Sequence, residues 1–408
     1  MSPAEIADAV MRPADEAGVV EAVRWAVASE APLEIVGRGS KRGLGRPVQA
    51  RATLDVSGLT GVTLYEPEEL VLSARAGTPI AEIEALLADN GQEMQFEPID
   101  YGPLHGGDRG AGTIGGVLSC NLAGPRRLKA GAARDHVLGV RLVTGRGEAI
   151  KSGGRVVKNV TGYDLSKGVT GAYGTLGVLT EITIKVLPRA EAETTLMLRG
   201  LTDEAATDVM ARAMGSSAEV SGAAHLPERV AARVTDGALG EAAATLLRLE
   251  GFESSVAARA EALTDLLGGD VERIEGEASR AAWRDVRDAI PFADGTMRPV
   301  WRVSVAPTKG WRLVEAMRQG AGVDAFYDWQ GGLVWLRMEG EPEHEALRRA
   351  VAHFGGGHAT LARADAATRA AVPVFEPEPG PLAALSARLK AQFDPSGVLN
   401  PGRMVAGS

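Results

Sequence analysis

At 408 residues with a net charge of −9, the chain is long enough for more than one core. It is too acidic to grip nucleic acid through the basic face that phosphates require. Hydrophobic residues reach 45% but aromatics only 4%, beside 51 glycines, which describes a soluble mixed composition rich in Ala, Val and Leu with many tight backbone approaches. A single cysteine, Cys120, excludes an internal disulfide and an iron–sulfur cluster held by this chain alone, and favours a reducing compartment.

The opening "MSPAEIADAVMRPADEAG" has no basic segment leading into an apolar run, so no signal peptide is expected. No stretch approaches the ~20 apolar residues of a spanning helix, so membrane attachment is expected only through partners. Residues 13–30 place Val19, Val20, Val23, Trp25 and Val27 at helical spacing, and "PLEIVG" then reads as a buried strand. A glycine-rich loop, "RGSKRGLG", follows with Arg38, Lys41, Arg42 and Arg46. "ARATLDVSGL" predicts a strand, and "YEPEELVLSARAGTPIAEIEALLADNGQ" predicts a strand, a turn with Pro79 at a helix start, and a helix stopped by Asn90-Gly91.

Seven glycines between Gly102 and Gly116, interrupted by Pro103, leave a segment that neither packs a core nor holds a long regular element. It reads as backbone pressed against a ligand, with a surface loop as the alternative. Val137 to Val143 and residues 148–151 flank "TGRG" as a hairpin, and "GVLTEITIKVLP" alternates as a half-buried strand ended by Pro188. Beyond residue 190, "EAAATLLRLEG" and "EALTDLLGG" read as helical, and "VWRVSVAP" and "GLVWLRMEG" as short apolar strands. That predicts a second α+β domain of two or more strands backed by helices. Its site candidates are Trp283, Arg298, Trp301, Trp329 and Trp335, the tryptophans being more naturally core. Residues 372–381 form a Pro-rich stiff linker. The helix "LAALSARLKAQFD" and the turns of "PSGVLNPGRM" complete a tail expected to pack back on the body.

The first glycine loop does not fit a Rossmann fingerprint, whose glycines open directly into a helix, because "RPVQARATLDV" after Gly45 is extended. A strand–loop–strand anion nest fits better. Lys41 is misplaced for a P-loop, and no Gly-x-Ser-x-Gly elbow surrounds Ser40. His353 and His358 enclose "FGGG" with no third ligand in view, so no metal site is expected. Asn159-Val160-Thr161 matches a glycosylation acceptor only incidentally. There remains an elongated anionic ligand cradled by two glycine loops and nearby cations. FAD meets that description, as does any nucleotide diphosphate.

"IVGRGSKRGLG", "GAGTIGGVLSCNLAGPRR", "RDHVLGVRLVTGRGE", "KNVTGYDLSKGVTGAYGTLGVLTEITIKV" and "FDPSGVLNPGR", in that order, resemble the FAD-binding fold of the vanillyl-alcohol oxidase superfamily, also called PCMH-type. Within it the chain is most similar to the FAD-binding subunits of bacterial glycolate-oxidising complexes. The resemblance implies an α+β fold, with a two-subdomain FAD-binding domain over residues 1–190, a smaller α+β cap domain over 191–370, and a C-terminal segment over 371–408 returning to the FAD domain.

By the same resemblance, Gly37, Gly39, Ser40 and Lys41, with Arg38, form the first pyrophosphate loop. Gly112, Thr113, Ile114 and Gly115 form the second, with Asn121 close behind. Val178 and Glu181 fall where backbone meets the adenine side, and Asn400 falls near the flavin ring. Asn159, Tyr163 and Asp164 match a family motif expected to line or brace the pocket.

The first loop lacks the His of covalently flavinylated members, and His105 is a poor substitute, which implies non-covalent FAD. The Gly-Asp-Gly-Asn-x-His metal motif of the D-2-hydroxy acid dehydrogenases is also missing. Oxidising glycolate needs a base, a cation for the carboxylate and a flavin as hydride acceptor, and His358 and Arg363 of "GGHATLARAD" are the candidates for the first two. The resemblance further implies a sister flavoprotein dehydrogenase subunit, an iron–sulfur subunit taking the electrons, and a cytoplasmic location, with any contact with the membrane made through those partners. The alternatives are a self-sufficient flavin-dependent 2-hydroxy acid oxidoreductase and a structural subunit that has lost flavin.

Overall fold

A computed structural model describes residues 9–154 and 163–407. The first core begins with helix Glu16–Ala28, where the Asp15 carboxylate accepts from Gly18 N at 2.9 Å and so caps an otherwise orphaned donor. Its apolar positions Val19, Ala22, Val23 and Ala26 are buried on a parallel sheet of Ala9–Met11, Ala52–Asp55 and Leu33–Val36, with Ala52–Asp55 in the middle. The chain's far end closes this core. Leu33 N donates to Val398 O at 2.8 Å, and Val398 and Leu399 are buried with Leu33.

A second, antiparallel sheet runs in the order Val62–Glu66, Val71–Arg75, Val178–Lys185, Val137–Val143, Ala149–Gly153. The last two strands are the hairpin around "TGRG", with Gly147 at φ 69°, a left-handed turn position suited to glycine. Helix Ile80–Asp89 starts after Pro79 and ends at Asn90 and Gly91, as its punctuation requires.

The third unit is larger than the expected few strands. An eight-stranded antiparallel sheet runs in the order Glu272–Glu275, Ala192–Arg199, Ala244–Gly251, Gly222–Leu226, Val323–Asp328, Leu333–Met338, Val300–Ser304, His358–Arg363. Side-chain alternation divides it. Trp301, Val303, Val334, Leu336 and Leu361 pack with Leu313, Val314, Leu347 and Val351 of helices Gly310–Arg318 and His344–His353. The intervening Val300, Phe326, Leu333, Trp335 and Ala362 join one continuous core with Phe96, Tyr101 and Leu104 from the first half of the chain. That second face is the one that packs on the first half of the chain.

Three local expectations change. "EAAATLLRLEG" is not a helix: Ala244–Gly251 is an inner strand whose Leu246, Leu247 and Leu249 are fully buried, and burial between two neighbouring strands outweighs the helix propensity of Ala and Leu. The second glycine cluster reaches the core, since Leu104 and Ile114 are buried in it, although its one helix, Ile114–Ser119, is short as expected. Within 372–381, Val372 and Val374 are buried against the cap sheet's helical side, so the segment is packed as well as Pro-rich.

Candidate functional site

Strand Leu33–Val36 ends with Val36 O accepting from Val56 N at 2.8 Å, and the chain then turns through Gly39 at φ 79°. Two tight turns follow, Arg42 N to Gly39 O at 3.1 Å and Leu44 N to Lys41 O at 3.0 Å, and no helix opens. Among the described residues, the backbone N–H groups of residues 38–41 find no acceptor in the chain. Four consecutive free donors on a loop form an anion-binding nest. Lys41 sits beside them, buried at 8% exposure, with Nζ 3.2 Å from Ser40 Oγ. Burial pulls its pKa below the usual lysine value.

The second loop closes onto the first. A Cβ on Gly37 would lie 2.8 Å from Thr113 Oγ1, and one on Gly112 would lie 3.0 Å from Lys41 Nζ. Thr113 caps helix Ile114–Ser119 by accepting from Gly116 N, while Gly115 N donates to Ala76 O at 2.9 Å. A Cβ on Gly115 would approach that same carbonyl to 2.7 Å, so only glycine allows the helix start to lie so close to the preceding strand's end.

The cleft between these loops has a volume of about 720 Å³ counting its open mouth, and continues past Cys120, Tyr173 and Gly174 to Asn400 and Arg403. Asn400, at φ 45°, ties that end together: Oδ1 accepts from Ile35 N and Nδ2 donates to Tyr173 O, both at 2.8 Å. Arg403 donates to Lys41 O at 3.2 Å, and its buried Nε has no partner among the described residues.

Of the residues expected at a cofactor, Gly37, Arg38, Gly39, Ser40, Lys41, Thr113, Gly115 and Asn400 line this one cleft. Gly112 lies just behind it against Lys41, and Ile114 points into the core. Asn121 is occupied as a brace, its Oδ1 accepting from Arg134 N at 3.1 Å.

The side chains of Val178 and Glu181, expected to bring only backbone to the adenine side, do not line the cleft. Val178 is fully buried in the first core, and Glu181 accepts from Thr63 Oγ1 at 2.9 Å. Gly177 and Leu179, the neighbours of Val178, line the cleft, because adjacent strand residues face opposite sides. Tyr163 is 90% exposed, Asp164 caps helix Leu165–Val169, and Asn159 lies outside the described residues.

His358 and Arg363 do not converge. They occupy opposite ends of strand His358–Arg363, roughly 16 Å apart at the rise of a strand. His358 is exposed. Arg363 is 1% exposed and committed to structure, donating to Phe292 O and Arg298 O and paired with Asp294 at 3.1 Å. Arg363 is thus a buried strut between loops, and the pair expected to supply base and carboxylate cation is not assembled. Residues that sequence reasoning passed over include Cys120, Tyr173, Gly174 and Arg403. The glycine-rich "GAYGTLG" and the Arg immediately after "NPG" were their only signals.

A family described as FAD binding domain matches residues 7–153. The glycolate oxidase subunit GlcE of Escherichia coli K12 is 39% identical over 391 residues, covering 95% of this chain and 97% of that protein. The chain belongs to the GlcE family of glycolate oxidase subunits. It carries an FAD binding domain and stands among flavin-linked oxidoreductases.

The glycolate oxidase subunit GlcD of Bacillus subtilis is 31% identical over 174 residues, covering 42% of this chain and 35% of that protein. The GlcE likeness therefore runs the length of the chain, whereas the GlcD likeness is partial. Two solved structures share the PCMH-type fold. They are p-cresol methylhydroxylase, with a TM-score of 0.70, 14% identity and coverage of 97% of this chain and 88% of that one, and 4-ethylphenol oxidase from Gulosibacter chungangensis, with a TM-score of 0.69, 14% identity and coverage of 97% and 89%.

The cleft's chemistry suits FAD. A row of free N–H donors beside a desolvated lysine lacks an anion that a pyrophosphate supplies, and the cleft extends beyond it to hold a flat ring system. Among the described residues no His lines it, and burial pushes the Cys120 thiol up to about 11, well away from a reactive thiolate.

Proposed function

We propose that the chain holds FAD non-covalently in this cleft and serves as an FAD-bearing subunit of a glycolate-oxidising complex. The carrying observation is the set of four free backbone donors at residues 38–41 beside buried Lys41. In this reading residues 38–41 and Lys41 grip the pyrophosphate. The Thr113–Gly115 turn walls the other side, and Asn400, Tyr173 and Gly174 frame the ring end. Residues 1–190 with 371–408 act as the FAD domain and residues 191–370 as its cap.

When bound, the flavin supplies a hydride acceptor. The protein's part is to orient it, exclude water by the cap sheet's inner face, and keep the pyrophosphate charge compensated. Arg363 is held by structural partners and His358 lies away from it, and that favours a subunit that assists or relays over a self-sufficient dehydrogenase. The complementary partners are a sister flavoprotein dehydrogenase subunit and an iron–sulfur subunit that takes the electrons. Among the described residues no helix is long and apolar enough to cross a membrane, and a cytoplasmic subunit reaching the membrane only through those partners is the matching placement.

The test is an absorbance spectrum of the purified chain, repeated on the supernatant after acid precipitation and then on intact protein after anaerobic glycolate. Flavin bands released by acid and left unbleached by glycolate are expected. Bleaching would reverse the assignment to a self-sufficient dehydrogenase, and a colourless protein that refuses added FAD would leave only a flavin-free structural role.

A further inference from the structure

The motif "AGPRR" sends two neighbouring arginines to opposite fates. Arg126 is saturated with carboxylates: Glu93 at 3.0 Å, Glu97 at 3.7 Å, Glu193 at 3.9 Å and Glu250 closer still. Arg127 has none. Its guanidinium lies 5.0 Å from the centre of the Trp329 ring, and that of Arg302 lies 4.8 Å from the same ring. Among the described residues neither side chain has a carboxylate within salt-bridge distance or a hydrogen-bond acceptor, and Arg302 Nε is buried without a partner. The two guanidinium carbons are therefore no more than about 10 Å apart, around a single indole ring.

Two like charges drawn together with no carboxylate in contact are unfavourable, and burial with the neighbouring arginine lowers the Arg127 pKa from its ordinary value, against a weaker opposing pull from Asp135. Trp329 is itself held in place at a cost. It and Gln330 have φ of 51° and 63°, a conformation that a bulky aromatic rarely adopts. Its ring N–H donates to Gly124 O at 3.0 Å, just ahead of Arg127, and its backbone N–H donates to Asp328 Oδ1 at 2.7 Å. The indole is thus pinned between the cap sheet and the FAD-side chain, with its ring serving as the platform on which both arginines rest.

The place matters as much as the charge. Arg302 lies on strand Val300–Ser304 opposite Trp335, and Trp335 meets the Tyr101 ring edge-on at 6.1 Å. Through the Trp329 to Gly124 hydrogen bond, the unpaired cations sit where the cap sheet meets the segment leading into Arg127.

We infer that Arg127 and Arg302, mounted on Trp329, form a carboxylate-binding site that takes a small 2-hydroxy or 2-oxo acid at the junction of cap and FAD domain. The inference rests on the FAD-bearing reading above for the placement of the reacting carbon, but the anion site itself is a property of these side chains. It also supplies the carboxylate cation that Arg363 does not.

The test is calorimetric titration of the full chain, with and without added FAD, using glycolate and its neutral amide, glycolamide. Wild-type protein should bind glycolate and ignore glycolamide. Arg302→Gln and Arg127→Gln should each weaken glycolate binding about 10- to 100-fold, the scale of a charge-assisted hydrogen bond. FAD uptake, read from its absorbance, should stay within about threefold of wild type, and the exposed Arg349→Gln should change nothing. Arg302→Lys keeps the charge and guards against a folding defect; it should bind glycolate more weakly than wild type but better than Arg302→Gln. Glycolate binding that is absent in wild type, unchanged in both Gln variants, or matched by glycolamide would overturn the site. Failure to take up FAD would count against the flavin reading alone.

Discussion

Replacing Lys41 by Met should move affinity and stability in opposite directions. The side chain is buried, its ammonium hydrogen-bonds the Ser40 hydroxyl alone among the described residues, and burial is the largest influence lowering its pKa. With FAD bound, one charge-assisted contact to a phosphate oxygen contributes about 1.5–3 kcal/mol, so Lys41→Met should weaken FAD roughly 10- to 100-fold. Without FAD the same charge is a liability, and the apo variant should be at least as stable as wild type.

The pH dependence follows from the lowered pKa. Between the depressed folded value and the unfolded value of about 10.4, the unfolded chain carries more protons, so wild-type apo stability gains a rising contribution with pH across that window. The variant should lose that contribution. Urea melts of apo-protein at several alkaline pH values, alongside fluorescence titration with FAD, measure both effects. A variant that binds FAD normally and melts earlier at every pH would refute the reasoning.

Three further outcomes are expected. Gly115→Ala drives a Cβ to 2.7 Å from Ala76 O and must displace the helix start, so it should cost about 1–3 kcal/mol in a urea melt and weaken FAD in a dialysis assay. Burial pushes the Asp328 carboxyl up to about 7, so its contribution is intact below about pH 4 and declines as pH rises to 7, by at most about 4 kcal/mol. Asp328→Asn keeps an acceptor for Trp329 N and should flatten the stability profile over that range relative to wild type, and parallel profiles would contradict it. Arg126→Leu would take the salt-bridge partner from Glu93 and Glu193 and leave Glu97 and Glu250 to Arg248, and should destabilise by about 3–5 kcal/mol at neutral pH in a chemical melt, with partial recovery on acidification.

The cleft was legible where function constrains local backbone. "GRGSKRG" and "GAGTIGG" announce close approach through glycine, and the structure brings both loops to one cleft with Asn400 from the far end of the chain. Strand direction was not legible at single-residue precision: Val178 is one step out of phase with Gly177 and Leu179, and a period of two turns one step into the opposite face. The Ala- and Leu-rich strand Ala244–Gly251 shows the other limit, since its two neighbouring strands and not its composition decide its state. His358 and Arg363 look adjacent in sequence, but an extended chain carries them apart. Arg127 and Arg302 are separated by most of the cap, and only the fold seats both on Trp329.

The central claim is a pyrophosphate cradle at residues 38–41 and Lys41, and the most direct measurement is competitive equilibrium dialysis of the apo-protein against FAD, FMN and riboflavin. The account predicts the order FAD, then FMN, then riboflavin, with riboflavin at least about 100-fold weaker than FAD because it leaves the free donors and the buried ammonium without an anion. Equal affinity for FAD and riboflavin, or no binding of FAD at all, would contradict it.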